Sequence, residues 1–483
     1  VGLLGILLAL GVLMWLSFRG WSVLLLAPAA ALIVAAFSAE PLLAHWTHTF
    51  MGSAAGFVAQ FFPLFLLGAL FGKLMEDSGS VAAIARTMTA KLGAKRAILA
   101  VVLAGALVTY GGVSLFVAFF VIGPMAMALF QAADIPRRLM PAAIALGTTT
   151  FTMTAMPGTP AIQNAIPMPF FGTTPFAAPG LGLIGSAIML AFGLAWLSYA
   201  EASARRRGEG FAAVATDATR VAEDPLVRER ATTASTFDPP EASRGKRSAQ
   251  EPGFLVAIAP LVVVVAVNLL MSFVVLPGLD MSFLDEERWS GLSLSAVSGV
   301  WAVIVALICA IGTLLALNRS RLTAVRESMD AGANASVLPV LSVACLVGFG
   351  AVVAAMPAFE LVRDWVLSIE GGLLVSLAVS TNILAALTGS ASGGMTIALD
   401  ALGGTYVALA EAQGLDPAIL HRVAAMAAGT LDSLPHNGAI VTLLAVCGST
   451  HKESYFHLAM AAIVGPIVAL VAVIVLGTAF GSF

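Results

Sequence analysis

Twelve apolar stretches follow one another along the chain, at 2–17, 22–37, 57–74, 97–130, 139–169, 180–199, 254–274, 289–317, 337–357, 372–410, 419–447 and 457–481. A membrane crossing needs about 20 such residues, fewer with local thinning or anchoring side chains. Most runs fit one crossing. The uncharged run 97–130 is too long for one helix and is split by Gly111-Gly112. Only 11% of the 483 residues are charged and mean hydropathy is +0.97. Eighteen of the charges fall between Glu201 and Gly253, so the remainder cannot solvate a globular surface. The fold class that follows is an all-α polytopic membrane protein. A net charge of −3 without a basic run gives nucleic acid nothing to bind. Cys309, Cys345 and Cys447 sit in apolar runs at no metal-like or redox spacing. The Val1–Ser17 run has no basic region before it and no small-residue cleavage site, and reads as a retained helix.

Loop charges set the orientation. Arg86, Lys91, Lys95 and Arg96 precede the 97–130 run and Arg137 and Arg138 follow it, which places both its ends on the cytoplasmic side. A segment with both ends on one side is a re-entrant hairpin, tolerable at membrane depth only where it is buried or lines a wet cavity. Arg19, Arg205 to Arg207, and Arg319, Arg321 and Arg326 are cytoplasmic on the same rule, and the loops at 38–56 (Glu40, His45, His48) and Asp280 to Glu287 lie outside. The 372–410 run, flanked by Glu360, Asp364 and Glu370 and then by Glu411 and Asp416, reads as a second hairpin entering from outside.

Shifting the chain by 282 residues superposes Gly111-Gly112-Val113-Ser114-Leu115 on Gly393-Gly394-Met395-Thr396-Ile397, and 142–148 on 424–430. Two matches at one offset, each at a hairpin or the helix after it, indicate an inverted repeat. That is the design of secondary transporters, whose sites lie where broken helices meet. The halves are 1–200 and 254–483, and the charged segment 201–253 is a cytoplasmic linker expected to be poorly ordered.

Four irregular segments are expected to converge: the tips Thr109 to Ser114 and Thr388 to Gly394, and the interrupted helices Gly147 to Asn164 and Gly429 to Gly438. Glycine permits close approach of backbone to a solute, and proline frees backbone hydrogen-bonding groups. None of the four carries Lys or Arg, so a carboxylate would be held by amides, hydroxyls and His436. Close helix packing by small residues is the competing account of the glycines.

At membrane depth the ionisable residues expected are Asp400, Asp432 and His436. Asp432 and His436, four apart, read as a proton-coupling pair, with a structural ion pair as the alternative. His45, His48, His421, His451 and His457 read as interfacial. Ser380-Thr381-Asn382 offers oxygens to Na+, which keeps sodium coupling open. Asp432, Ser433 and His436 are also the residue types of a hydrolase triad, though no nucleophile elbow frames them. Metalloprotease, P-loop and dinucleotide motifs are absent, and no metal or organic cofactor is implied.

LMEDSGSVAAIARTMTAKLG (74–93), ALVTYGGVSLFVAFFVIGPMA (106–126), AMPGTPAIQNAIPMPFFGTTPFAAPGLG (155–182) and GTLDSLPHNGAIVTLL (429–444) resemble the gluconate permease (GntP) family. The resemblance implies a multi-pass protein of the bacterial inner membrane, a proton-coupled symporter of small hydroxylated or short-chain carboxylates. It also implies a homodimer in which two hairpins move against a fixed scaffold as an elevator. Carried over by position, substrate would meet Tyr110, Gly111, Gly112, Ser114, Thr159, Gln163, Asn164, Ser390, Ser392, Gly393, Gly394 and Asn437, with Asp432 and His436 carrying the proton. A 3-hydroxybutyrate-like substrate is favoured over gluconate. A Na+-coupled dicarboxylate carrier is the rival within transport, although no positive residue stands near the tips to receive a second carboxylate.

Overall fold

The computed structural model describes residues 1–19, 21–211, 245–289, 293–435 and 437–483, which are helical with no strand among them. Residues 212–244, most of the linker whose order the sequence bears on, lie outside this description, as does His436. The first half runs α1 (Gly2–Phe18), α2 (Val23–Phe37), α3 (Leu42–Asp77), α4 (Ser80–Leu92), α5 (Ala97–Tyr110) and α6 (Leu115–Ala132). Four short pieces follow, α7 (Met140–Thr148), α8 (Phe151–Thr154), α9 (Ile162–Ala165) and α10 (Pro167–Phe171), and then α11 (Pro179–Arg206). The second half runs α12 (Phe254–Gly278), α13 (Leu294–Leu317), α14 (Val325–Ala354), α15 (Phe359–Leu367), α16 (Leu373–Thr388) and α17 (Ala391–Gln413). It closes with α18 (Pro417–Ala428), α19 (Gly438–Val446) and α20 (His451–Phe480).

Among the described residues seven helices are long and apolar enough to cross a membrane: α3, α6, α11, α12, α13, α14 and α20. An eighth results if α4 and the segment Ala94–Tyr110, which meet at 102°, are one broken span. The order of elements recurs. In both halves two helices lead to a long one (α3, α14), then a short one (α4, α15), a pair joined by a tight turn, an interrupted helix and a closing span.

Helices α3 and α14 pack together along their lengths. A Cβ on Gly332 would stand 3.0 Å from the Cα of Leu70, and one on Gly348 would stand 2.7 Å from the carbonyl of Phe50. Rising numbers on α14 meet falling numbers on α3, so the two helices, which hold the same place in their halves, run antiparallel. Small residues at the crossings let the backbones touch. The first arm of each pair is fitted in the same way. Gly147 of α7 lies against the Val102 carbonyl of α5, and Gly394 of α17 against the Ala385 backbone of α16, each leaving 2.3 Å to a notional Cβ.

Several expectations need correcting. The loop expected at 38–56 is helical from Leu42 onward, because no proline or glycine pair interrupts the chain before Pro63. At about 1.5 Å per residue, the 36 residues of α3 span about 54 Å, well beyond an apolar core of about 30 Å. Helix α14 begins at Val325 rather than 337 and takes Arg326 into its first turn. The serines that cap α6 and α17, Ser114 and Ser390, lie 276 residues apart, six short of the offset at which the glycine pairs align. The second turn falls at Gly389-Ser390, and Ser392, Gly393 and Gly394 are already helical.

Candidate functional site

The two turns are built alike. At the first, Gly112 takes φ +92°, a left-handed value that favours glycine. The Ser114 hydroxyl then accepts the Phe116 N–H at 3.3 Å and caps α6. At the second, Gly389 takes φ +63°, and the Ser390 hydroxyl accepts the Gly393 N–H at 3.1 Å. Each turn is tied to the interrupted helix of its own half. Tyr110 donates to the Pro157 carbonyl at 2.9 Å, and Thr109 donates to the Gly147 carbonyl at 3.2 Å. In the second half Asn437 does both jobs. Its Nδ2 donates to the Gly389 carbonyl at 3.0 Å, while its Oδ1 accepts from Ala439 at 2.7 Å and Ile440 at 3.4 Å to cap α19.

Where these segments meet lies a cavity of about 20 Å³, room for about one water. Its walls come from all four irregular regions. Leu115 follows the first turn, Thr149, Met153, Thr154 and Gln163 belong to the first interrupted helix, and Ala391 follows the second turn. Gly429, Asp432, Ser433 and Asn437, with Ala439 and Ile440 of α19, complete the wall, which has neither Lys nor Arg. Asp432 is half-buried and accepts from the Ser433 hydroxyl at 3.3 Å. Gln163 is buried, and its Oε1 has no partner among the described residues. A second cavity, of about 30 Å³, lies between the first turn (Gly112, Val113, Ser114), Pro160 to Ile162 and α3 at Leu64, Phe65 and Gly68. Met153 borders both.

Of the residues expected to bind substrate, Gln163 and Asn437 line the first cavity beside Asp432, and Gly112 and Ser114 line the second. The others have different occupations. Tyr110 spends its hydroxyl on Pro157. Gly111 is packed against Leu261 of α12, and Gly393 against Leu346 of α14. Gly394 holds the arms α16 and α17 together, so close packing accounts for the second glycine pair. The Thr159 hydroxyl accepts the Ala161 N–H, and Ser390 and Ser392 face each other at 3.3 Å. Asn164 is fully buried with its amide committed at both ends. It donates to the carbonyls of Thr159 and Pro175 and accepts from His421 and Arg422. His436 lies outside the described residues. Asp400 is on the exposed face of α17.

Two of the missed residues are neighbours. His421, expected at an interface, is fully buried, and so is Arg422. His421 meets Asn164 Oδ1 at 3.1 Å through Nε2 and the Thr173 hydroxyl at 2.6 Å through Nδ1. The Arg422 guanidinium donates to the Ala177 carbonyl at 2.7 Å, the Thr154 carbonyl at 3.3 Å and Asn164 Oδ1 at 3.2 Å. The signal was an adjacent His-Arg pair interrupting an otherwise apolar run. A second group of buried charges ends α3, where Lys73 sits 2.9 Å from Asp77, Ser328 donates to Asp77 at 2.6 Å, and Arg247 pairs with Glu76. Buried ionisable residues are thus more numerous than the three expected. Among the described residues no cluster of His, Cys, Asp or Glu could hold a metal.

A GntP family permease model matches residues 1–171. The chain is 42% identical over 465 residues to an uncharacterized transporter, YxjC, of Bacillus subtilis, covering 93% of each protein. It is 32% identical over 143 residues to the high-affinity gluconate transporter of Escherichia coli, 28% of this chain and 31% of that one. Among solved structures, Neisseria gonorrhoeae MtrF, described as one of a class of antimetabolite efflux pumps, aligns over 92% of this chain and 86% of its own. The TM-score is 0.53 at 14% identity, a likeness of fold alone. These relatives are transporters, which sets aside the hydrolase reading of Asp432, Ser433 and His436. The long apolar helices and the transporter relatives together make this a multi-pass membrane transporter, and the chain belongs to the GntP family of permeases.

Proposed function

We propose that this transporter is a proton-coupled symporter that imports small hydroxy monocarboxylates, 3-hydroxybutyrate-like or gluconate-like, across the bacterial inner membrane. The observation that carries the reading is the cavity between the four broken segments, with a half-buried Asp432 and an unpartnered Gln163 Oε1 in its wall. A carboxyl beside the substrate space is suited to take up a proton on loading. The start of α19, where Ala439 and Ile440 line the cavity with their N–H groups capped by Asn437, turns the positive end of its helix dipole toward an anion without a membrane-buried lysine. The likeness to the gluconate transporter supports the substrate class.

Alternating access on this architecture is a movement of the two helical hairpins, each with the interrupted helix to which it is bonded, against α3 and α14. The antiparallel run of those two helices supports an inverted repeat. A homodimer about this scaffold belongs to the same reading. Sodium coupling has one observation in its favour: Thr381 Oγ1 is buried without a partner among the described residues. Its neighbours are otherwise engaged, Ser380 with Tyr406 and Asn382 with Thr430.

The test is uptake of labelled D-3-hydroxybutyrate and D-gluconate into proteoliposomes under an inward proton gradient and then an inward sodium gradient. Accumulation driven by protons and competed by one substrate over the other is the expected result. Accumulation driven by sodium alone would replace the coupling ion, and uptake of neither acid would remove the substrate class.

A further inference from the structure

Arg422 is a fully buried guanidinium whose recorded acceptors are all neutral. Nε and one terminal nitrogen donate to the Ala177 carbonyl, and the other donates to the Thr154 carbonyl and to Asn164 Oδ1. Among the described residues no carboxylate forms an ion pair with it. Hydrogen bonds to carbonyls satisfy its donors without cancelling its charge, and burial of an unbalanced cation is costly. Its place makes the charge useful. Thr154, whose carbonyl it holds, lines the same cavity as Asp432. Arg422 and Asp432 also belong to one interrupted helix, ten residues apart, and so move together.

Resting on the symport reading above, we infer that Arg422 is the fixed countercharge that makes proton and substrate cross together, one of each, in a step that moves no net charge. Empty, the site holds the Arg422 cation and the Asp432 carboxylate and is neutral. With a proton on Asp432 and a monocarboxylate bound it is again neutral. With the proton alone it carries +1, and with substrate alone −1. The two charged forms are held back by the cost of taking an unbalanced charge through the bilayer, so only the empty and the doubly loaded forms cross.

Among the described residues, the groups facing this pair leave the sum unchanged. His421 carries a hydrogen on Nε2, because Asn164 Oδ1 can only accept, and beside the buried Arg422 cation a second positive charge is disfavoured, so the Thr173 hydroxyl donates to Nδ1 and the ring is neutral. Beside Asp432 lie the Ser433 hydroxyl and the Ala391 backbone N–H, and Tyr455 donates to the Ser433 carbonyl. His451, which bonds the Pro435 carbonyl, is exposed. Asp400 is exposed on α17, and the charges at Lys73, Glu76 and Asp77 belong to α3.

The experiment measures initial rates of proton-driven D-3-hydroxybutyrate uptake in proteoliposomes, with and without a potassium diffusion potential, negative inside, set by valinomycin. Wild type should take up substrate at the same rate in both. Arg422→Gln makes the loaded form carry −1, so its uptake should fall, and fall further by at least about threefold under the inside-negative potential. Arg422→Lys keeps the charge while losing the fork, and should remain insensitive to potential even if slower. A role limited to pinning backbone carbonyls would lower rates in both variants without making either respond to potential. Potential-sensitive uptake by wild type overturns the inference whether or not the variants fold, as does potential-insensitive uptake by Arg422→Gln at any measurable rate. Failure of wild type to take up either hydroxy acid would instead remove the proposed substrate class, and this inference with it.

Discussion

Replacing Gly394 with alanine tests how the second hairpin is held together. A Cβ at that position would lie 2.3 Å from the backbone nitrogen of Ala385, 2.4 Å from its Cα and 2.5 Å from the carbonyl carbon of Leu384. All three are main-chain atoms of the neighbouring arm, so no change of rotamer relieves the overlap, and α16 and α17 must part by about 1 Å to reach ordinary contact. Overpacking of this kind costs about 1–3 kcal/mol, and a rigid obstacle places it at the upper end. Alanine returns up to about 1 kcal/mol through its helix preference, leaving a net loss of about 2 kcal/mol. If the arms separate before the protein inactivates, that loss shortens the thermal half-life about thirtyfold. Gly404, on the same helix, has nothing within 4 Å of its notional Cβ, so Gly404→Ala should keep or lengthen the half-life. The assay is the monodisperse fraction of detergent-purified protein after timed heating. Equal half-lives for the two variants would refute the claim that close backbone contact, rather than ligand contact, is the work of this glycine.

Three further outcomes follow from the same geometry. Asp432→Asn should abolish accumulation driven by a pH gradient while leaving substrate exchange measurable, and accumulation at the wild-type level would end the assignment of the proton to this carboxyl. Asn437→Asp keeps the cap of α19 but loses the donor to Gly389, whereas Asn437→Ala loses both; exchange should fall in each, with the alanine variant alone losing about 1 kcal/mol or more of stability in thermal unfolding. Arg247→Ala leaves the buried Glu76 carboxylate without its partner from the 245–251 segment, so it should destabilise the protein more than the pair Arg247→Ala with Glu76→Gln, a difference a double-mutant cycle reads in detergent melts.

Much of the scaffold is legible in the sequence because a membrane chain advertises its helices by length and apolarity. The splitting of 97–130, 139–169 and 419–447 into shorter pieces follows from glycine and proline that no continuous helix accommodates well. Run length and loop charge pointed to the two paired segments, whereas offset matching set the second turn six residues too late. Glycines that break a helix and glycines that pack one look identical as letters, and Gly393-Gly394 is the packing kind whereas Gly111-Gly112 ends its helix. The start of α3 was missed for a related reason: His45 and His48 suggest a loop, yet they ride on a helix that outruns the apolar core. Side-chain partners across the fold were least legible. Asn164 looked like a ligand-binding amide until His421 and Arg422, some 260 positions away, took both its lone pairs.

The size of the two cavities bears on which parts must move. Each holds about one water, whereas the proposed 3-hydroxybutyrate has seven non-hydrogen atoms, so a substrate of that class would enter only when a wall is displaced. The wall between or beside them that costs least to shift is Met153, whose unbranched thioether chain has three rotatable bonds and no polar partner to lose. Its neighbours are less free. Asn437 fixes the second turn to α19, Thr109 and Tyr110 fix the first turn to α7 and to the segment after α8, and Gly394 locks the arms of its hairpin. Local opening of a turn would therefore break several buried hydrogen bonds at once, each costly to leave unmade at membrane depth. Motion of each hairpin as a unit with its interrupted helix keeps all of them. The bonds that occupy the tips are thus the same ones that tie each half's hairpin to its broken helix, which is what the proposed movement of the two as one body requires.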